Sequence, residues 1–109
     1  YNANPSSMKL AIENFAGLPG DKKILMLGAM AEVGAESLAE HQQMINLISR
    51  YKWSDVALVG GDFIKLKSAF NTFPDSASAK AWLAKKNIKG YSLLIKGSRS
   101  MKMEQVLAD

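Results

Sequence analysis

The sequence predicts an α/β domain in which a mainly parallel sheet is flanked by helices. Short apolar runs end in glycine over 22–28, 55–61 and 93–97, and segments with apolar residues at helical spacing separate them. Continuous apolar runs are typical of parallel strands that are buried on both faces. Their alternation with helices is typical of parallel sheets with right-handed crossovers. At 109 residues the chain has the size of a single domain, 1–109.

The first helix is predicted over 7–16, where apolar residues recur at helical spacing behind Ser6 and Ser7, two good N-caps. The stretch 17–20 contains two glycines and a proline and ends this helix. The first strand then follows over 22–28.

A long amphipathic helix is predicted from about Glu36 to about Tyr51. Its apolar residues form a helical stripe, and acids lie near its amino end, where the helix dipole favours them. The second strand follows over 55–61, and a shorter helix is predicted over 63–70.

The last third of the chain continues the alternation. We expect a brief strand over 71–73, a helix capped by Asp75 or Ser76, the last strand over 91–95 and the last helix over 101–107.

The composition excludes several classes of site. Cysteine is absent, which removes disulfides, thiolate zinc sites and cysteine nucleophiles, and a single histidine excludes a histidine-rich metal cage. No run approaches the roughly 20 apolar residues of a membrane span, and together with the lack of cysteine this favours a cytoplasmic protein. The net charge is +4, but the lysines are dispersed without interleaved aromatics, so a solvated surface is favoured over a nucleic-acid platform.

The candidate site is the stretch Lys96-Gly97-Ser98-Arg99, which follows a strand at the edge where α/β sheets bind ligands. Its cations, hydroxyl and backbone N–H groups suit a carboxylate or phosphate, and Arg99 can grip such a group through two hydrogen bonds. A basic turn in which Ser98 or Ser100 caps the last helix is the alternative. Neither a Gly-x-x-x-x-Gly-Lys-Ser/Thr nor a Gly-x-Gly-x-x-Gly motif follows a strand, so any nucleotide must be held mainly elsewhere.

Other polar residues have weaker claims to a function. His41 is the only possible imidazole base, but it falls within a predicted helix, which favours a plain structural or surface histidine. Glu32 and Glu36 could act as ligands or bases, but their spacing favours a solvated acid in a loop and an acid at a helix start. Asn2 and Asn4, before Pro5, are either functional or simple turn and cap residues.

Several stretches together resemble one known family. They are Tyr-Asn-Ala-Asn-Pro-Ser-Ser-Met-Lys at 1–9, Leu-Gly-Ala-Met-Ala-Glu-Val-Gly-Ala-Glu-Ser at 27–37 with Glu-His at 40–41, Val-Gly at 59–60, and Ile-Lys-Gly-Ser-Arg-Ser-Met at 95–101. In order and spacing they resemble the carboxyl-terminal domain of the Mur ligases, and among these the ligases that join D-alanyl-D-alanine to UDP-N-acetylmuramoyl-tripeptide in peptidoglycan synthesis. The resemblance covers nearly the whole chain.

The resemblance implies a three-layer, Rossmann-like domain from a longer, monomeric, three-domain enzyme. In that enzyme the first domain would hold the UDP-sugar peptide and the central domain ATP and Mg²⁺, so this domain alone would be inactive. ATP would phosphorylate the tripeptide carboxylate, and the amine of D-alanyl-D-alanine would attack the acyl phosphate. The matched positions imply that Tyr1, Asn2 and Asn4 face ATP, and that Lys96, Gly97, Ser98, Arg99 and Glu32 face the dipeptide.

One departure from the family pattern and two alternative functions accompany this resemblance. Ala29 stands where the family usually has Asp, so the role of that loop carboxylate is in question here. The first alternative function is a non-catalytic anion-binding or receiver-like α/β module, although a receiver needs an acidic cluster at its strand exits. Non-specific nucleic-acid binding is a third hypothesis and predicts steep salt dependence.

Overall fold

The computed structural model describes residues 3–31 and 33–108 and confirms the α/β class. Its strands are β1 (Lys23–Gly28), β2 (Asp55–Val59), β3 (Asn71–Phe73) and β4 (Ser92–Lys96), and its helices are α1 (Pro5–Ala16), α2 (Ser37–Ile48) and α3 (Ser76–Ala84). The strands form one sheet in the order β3-β2-β1-β4, and each neighbouring pair is parallel. None of the helices in 3–31 and 33–108 has the length and apolar character needed to cross a membrane.

Helices cover both faces of this sheet, which gives the predicted three layers. Successive side chains of a strand point to opposite faces, and β1 follows this rule. Leu25 and Leu27 pack with the apolar sides of α1 and α2. Ile24 and Met26 pack with α3 and with the segment 103–107. The central strand is therefore buried on both faces, as its continuous apolar run predicted.

The connections reverse direction at β1. The chain crosses from β1 to β2 through α2 on one face, and it returns from β3 to β4 through α3 on the other. Crossovers of one hand that lead in opposite directions must lie on opposite faces. The carboxyl ends of β1 and β4 therefore flank the topological switch point, where open α/β sheets bind ligands.

The first helix begins earlier than its serines suggested. Its N-cap is Asn4, whose Oδ1 accepts a hydrogen bond from the Ser7 backbone N–H at 2.9 Å, while the Ser7 Oγ accepts from the Asn4 N–H at 3.1 Å. Pro5 occupies the first helical position, where its missing N–H costs nothing. A capping box thus fixes the start of α1.

The second helix ends three residues before the predicted Tyr51. The backbone N–H groups of Arg50 and Tyr51 donate to the carbonyls three residues earlier, as in a 3-10 turn. This tighter turn ends the α-helix. The indole N–H of Trp53 donates to the Ile48 carbonyl at 2.9 Å and satisfies one of the last helical acceptors.

The helix predicted over 63–70 is wrong. The chain forms only a short 3-10 turn, Gly61–Lys65, and Leu66 is extended (φ −108°, ψ 141°). Phe63 is the buried residue of this turn. One buried side chain does not form the apolar stripe that stabilises an amphipathic helix.

The last predicted helix, 101–107, is instead two 3-10 turns, Arg99–Met101 and Met103–Leu107, separated by Lys102 at φ 50°. Met101 and Met103 both pack against the glycines at the strand exits. Residues two apart in an α-helix point in directions about 200° apart. A continuous α-helix could therefore not bury both methionines on this surface.

Candidate functional site

The exits of β4 and β1 lie in backbone contact at the switch point. A Cβ atom on Gly97 would lie only 2.8 Å from the Cα of Gly28. One residue further, the Ser98 backbone N–H donates to the Ala29 carbonyl at 3.1 Å. The two exit loops are thus held together by close approach and by a hydrogen bond.

The glycines at the strand exits lie along one edge, as predicted, and they make room for methionines. A Cβ on Gly28 would lie 2.6 Å from the Met103 Cγ, and a Cβ on Gly60 would collide with the end of the Met101 side chain. Gly60 also has a backbone φ of +73°, a conformation that residues with a side chain rarely adopt. These glycines therefore serve packing, and sequence reasoning missed Met101 and Met103 as their partners.

An open groove of about 460 Å³ lies beside this junction. Its lining consists of Ile95, Lys96, Gly97, Ser98, Arg99, Met103, Glu104 and Leu107. The structure therefore brings Lys96, Gly97, Ser98 and Arg99 together as predicted. It adds three residues that the sequence did not single out, Met103, Glu104 and Leu107. Their only sequence signal was their short distance from the Lys-Gly-Ser-Arg turn.

The groove combines charge with an apolar wall. Lys96 is half-buried and Arg99 is exposed, whereas Met103 is buried and Leu107 is 57% exposed. Glu104 adds one exposed carboxylate to the lining, so the two cations outnumber the single acid. Together with the apolar neighbours, they suit a small ligand that carries both a carboxylate and short aliphatic groups.

Ser98 is a structural part of the turn. It is 3% exposed and occupies the N-cap position of the turn Arg99–Met101, yet its side chain makes no capping bond. Its Oγ lies 3.0 Å from the Oγ of Ser100. The side-chain cap expected from Ser98 in the basic-turn alternative is therefore absent.

The amino end of α1 lies at the carboxyl ends of the strands, the end at which the groove also lies. Lys23, at the start of β1, donates from Nζ to the Ala16 carbonyl at 2.9 Å, so the carboxyl end of α1 adjoins the amino ends of the strands. Asn4, at the opposite end of α1, lies toward the strand exits. Its side-chain oxygen is engaged in the helix cap. Tyr1, Asn2 and Glu32, which were also predicted as site residues, lie outside the described residues.

His41 is a buried structural residue and not a general base. It has no exposed surface, and its Nε2 accepts from the Met30 N–H at 2.9 Å while its Nδ1 lies 2.7 Å from the Ser37 carbonyl oxygen. Glu36 is exposed at the start of α2 and makes no capping bond through its side chain.

Among the described residues, acidic side chains do not cluster at the strand exits. Asp62 has a pKa below its usual value, chiefly because the Ser37 hydroxyl bonds its carboxylate and also because Lys65 lies 3.1 Å away. Within 3–31 and 33–108, no three His, Cys, Asp or Glu side chains are grouped to hold a metal ion. The described residues thus offer neither a ligand set for Mg²⁺ nor the acidic cluster of a receiver.

Comparison with known proteins identifies the family. The family model described as Mur ligase, glutamate ligase domain, matches residues 1–99. The UDP-N-acetylmuramoyl-tripeptide--D-alanyl-D-alanine ligase of Buchnera aphidicola is 34% identical over 100% of this chain and 25% of its own length. The enzyme of that name from Bacillus subtilis is 35% identical over 100% of this chain and 26% of its own length. The chain thus spans about a quarter of the length of these relatives.

Solved structures agree with the sequence relatives. A crystal structure of MurF from Acinetobacter baumannii superposes with a TM-score of 0.83 at 28% identity, over 100% of this chain and 25% of that one. MurF ligase from Thermotoga maritima in complex with ADP gives a TM-score of 0.80 at 28% identity, over 98% of this chain and 25% of that one. Because the family model matches residues 1–99, this chain belongs to the Mur ligase family and corresponds to the domain that the model describes as the glutamate ligase domain.

Proposed function

We propose that this chain is the carboxyl-terminal domain of an ATP-dependent ligase that joins D-alanyl-D-alanine to UDP-N-acetylmuramoyl-tripeptide. The observation on which the proposal rests is the groove at the switch point, where Lys96 and Arg99 lie beside an apolar wall. The 34% and 35% identical relatives named for this reaction support the choice of substrates. The ADP complex of the Thermotoga relative supports a nucleotide-dependent reaction.

In the proposed reaction, the terminal phosphoryl group of ATP passes to the tripeptide carboxylate and gives an acyl phosphate and ADP. The amine nitrogen of the dipeptide attacks the acyl carbon, loses a proton and expels phosphate as the amide forms. Such catalysis depends mainly on positioning and on stabilising charge. We expect ATP and Mg²⁺ to be bound mainly by other domains.

The task of this chain is to hold the acceptor dipeptide. Arg99 and Lys96 are the cations suited to its free carboxylate, and the apolar wall formed by Met103 and Leu107 suits its methyl groups. Gly97 keeps the turn close to β1. With the carboxylate fixed at one end, the amine at the other end is directed toward the acyl phosphate.

The remaining assignments belong to the same proposal. Tyr1, Asn2 and Asn4 face ATP, and Glu32 borders the dipeptide. The enzyme acts as a cytoplasmic monomer, and the domain is inactive by itself.

The decisive experiment is to replace Arg99 with Ala in the full-length enzyme and measure steady-state kinetics for both substrates. Loss of a charged hydrogen-bonding partner costs about 1.5–3 kcal/mol, which corresponds to a rise of roughly 10- to 150-fold in the KM for D-alanyl-D-alanine. The KM for ATP should stay within about twofold, because this interaction acts on the dipeptide alone.

Arg50→Ala is the matched control, since Arg50 is an exposed arginine that does not line this groove. Arg99→Lys should be intermediate, because lysine keeps the charge and loses the two-pronged geometry. An Arg99→Ala enzyme with unchanged KM and kcat for the dipeptide would refute the assignment.

A further inference from the structure

A single peptide group connects the exit loops of β1 and β4 to α2. The carbonyl of Ala29 accepts a hydrogen bond from the Ser98 N–H at 3.1 Å. The N–H of the same peptide group, which belongs to Met30, donates to the His41 Nε2 at 2.9 Å. The residues at both ends of this chain of hydrogen bonds are buried, with Ser98 at 3% and His41 at 0% exposure.

The surroundings of His41 select one form of its ring. The Nδ1 lies 2.7 Å from the Ser37 carbonyl oxygen, and a carbonyl can only accept, so Nδ1 carries the proton. The Nε2 of the neutral ring then has a lone pair for the Met30 N–H. The Phe63 ring packs edge-on at a centroid distance of 4.7 Å and fixes the plane of the imidazole.

The His41 Nε2 is an important acceptor because the Met30 N–H that it binds is buried. Met30 is 6% exposed, so an unpaired N–H there has little access to water. Buried backbone donors are almost always paired, and leaving one unpaired is costly. Without the imidazole, rotation of the peptide group between Ala29 and Met30 toward solvent is favourable, because the Met30 N–H can then bond to water. Its carbonyl would then leave the Ser98 N–H.

We propose that His41 is a positioning residue of the ligase. By holding the peptide group between Ala29 and Met30, it fixes the backbone of Ser98 and so the Lys96–Arg99 side of the groove. His41 touches neither substrate and acts through the backbone. The kinetic consequence rests on the proposed function, whereas the hydrogen-bond chain does not.

Two variants of the full-length enzyme separate this role from the hydrogen bond that His41 makes to the Ser37 carbonyl within α2. In His41→Asn, the shorter amide can still donate to the Ser37 carbonyl but cannot reach Met30. In His41→Gln, the longer side chain can place its Oε1 where Nε2 lies and accept from the Met30 N–H. A role confined to the Ser37 bond predicts that the Asn variant, which keeps this bond, has the lower KM for the dipeptide, although glutamine is the better helix former.

We expect His41→Asn to raise the KM for D-alanyl-D-alanine about tenfold, with kcat and the KM for ATP within about twofold, because the groove loses an anchor while the reacting groups stay intact. His41→Gln should return the dipeptide KM to within about threefold of the wild-type value, since it restores the acceptor. Equal kinetics for the two variants would overturn the proposal.

Hydrogen–deuterium exchange on the same enzymes gives a readout that does not depend on ligation. In His41→Asn, the amides of both Met30 and Ser98 should exchange at least about tenfold faster than in the wild type, because they belong to one hydrogen-bonded unit. In His41→Gln, both should remain protected. Unchanged exchange in His41→Asn would show that His41 does not hold the peptide. A wild-type enzyme unable to use the dipeptide would instead refute the proposed function, and exchange would still decide the role of His41.

Discussion

Gly97 lies where β4 comes closest to β1, and its missing side chain permits that approach. A Cβ there would meet the Cα of Gly28 at 2.8 Å and the Met103 Cγ also at 2.8 Å. The first of these atoms belongs to the backbone of a central strand and cannot move aside. The backbone of Gly97 is not in the left-handed region, so its requirement for glycine comes from space alone.

Replacing Gly97 with Ala should lower the free energy of unfolding by about 1–3 kcal/mol, the usual cost of overpacking a tight site. Gly17→Ala is the matched control. Gly17 also lacks a positive φ, and a Cβ there would meet its nearest atoms at an ordinary 3.6 Å. Urea unfolding of the two variants measures the difference, and equal stabilities would mean that the β4 turn relaxes freely.

Buried polar residues are the part of the structure that the sequence could not reveal. Lys23 is 5% exposed because its Nζ bonds the carbonyls of Ala16 and Leu18, and His41 is buried because its ring bonds two backbone groups. In a sequence a lysine at a strand entrance suggests a solvated charge. The actual partners of Lys23 are backbone carbonyls. Every residue has a backbone carbonyl, so the residue types in the sequence do not indicate these partners.

At the scale of elements, the start of α1 is a capping motif that contains a residue proposed to face ATP. Asn4 and Ser7 form a capping box, and the same Asn4 belongs to the motif implied to face ATP. The two roles make different demands on the side chain. A cap needs a short side-chain oxygen, whereas a contact to ATP needs this particular amide.

We therefore expect Asn4→Ala to lower the stability by about 1 kcal/mol and Asn4→Ser to leave it nearly unchanged, because serine caps well. If Asn4 also contacts ATP, the Ser variant of the full-length enzyme should show a raised KM for ATP despite normal stability. Denaturant unfolding and ATP kinetics on both variants test this. A Ser variant with normal stability and normal ATP kinetics would limit Asn4 to the cap.

The start of α3 makes a prediction about acid. Asp75 is its N-cap, and the backbone N–H and the hydroxyl of Ser78 both donate to its Oδ1 at 2.8 Å. These bonds favour the charged carboxylate and hold the pKa of Asp75 below its ordinary value of 3.8. A depressed pKa contributes stability above the pKa of the unfolded chain. That stability is lost as the pH falls through the folded-state value, below 3.8.

Asp75→Asn keeps a good N-cap that does not titrate, so its melting temperature should fall less than that of the wild type between about pH 6 and about pH 2.5. Every other carboxylate is common to both proteins, which makes the difference specific to Asp75. Melting curves by circular dichroism across this range measure it. Parallel acid profiles would show that the cap contributes no pH-dependent stability.

The prediction of helices and strands succeeded where local sequence signals determine the secondary structure. It failed where contacts with distant residues determine it. Periodicity and caps located α2 and α3, and apolar runs ending in glycine located β1 and β2. The segment 101–107 was misassigned as one helix because its two methionines had to pack against glycines from other strands. Two of those glycines, Gly28 and Gly60, lie about 40 residues or more before this segment, so no local pattern near 101–107 contained the information.

At the scale of the whole molecule, the strand order β3-β2-β1-β4 creates the site. The reversal at β1 brings the Lys96–Arg99 turn beside the loop that follows β1, although about 70 residues of chain separate them. The alternation of strands and helices predicted a parallel sheet, but that pattern is shared by many strand orders. The resemblance to a Rossmann-like family supplied what the local signals lacked.

This architecture also limits what the chain can bind by itself. Met101 and Met103 occupy the space beside the glycines at the strand exits. The Ser98 N–H already donates to the Ala29 carbonyl. These loops are therefore not arranged as a phosphate-binding loop. The sequence likewise has no Gly-x-x-x-x-Gly-Lys motif. Two cations in an open groove can attract a carboxylate, but they do not enclose a triphosphate.

Titration calorimetry of the 109-residue chain with ATP and Mg²⁺ should therefore give a dissociation constant weaker than about 1 mM, an affinity of less than about 4 kcal/mol. Circular dichroism of the same sample establishes that the chain is folded. The full-length enzyme should bind ATP far more tightly under the same conditions. Micromolar binding by the chain alone would contradict the division of labour proposed here, since it would place a complete nucleotide site within these three layers.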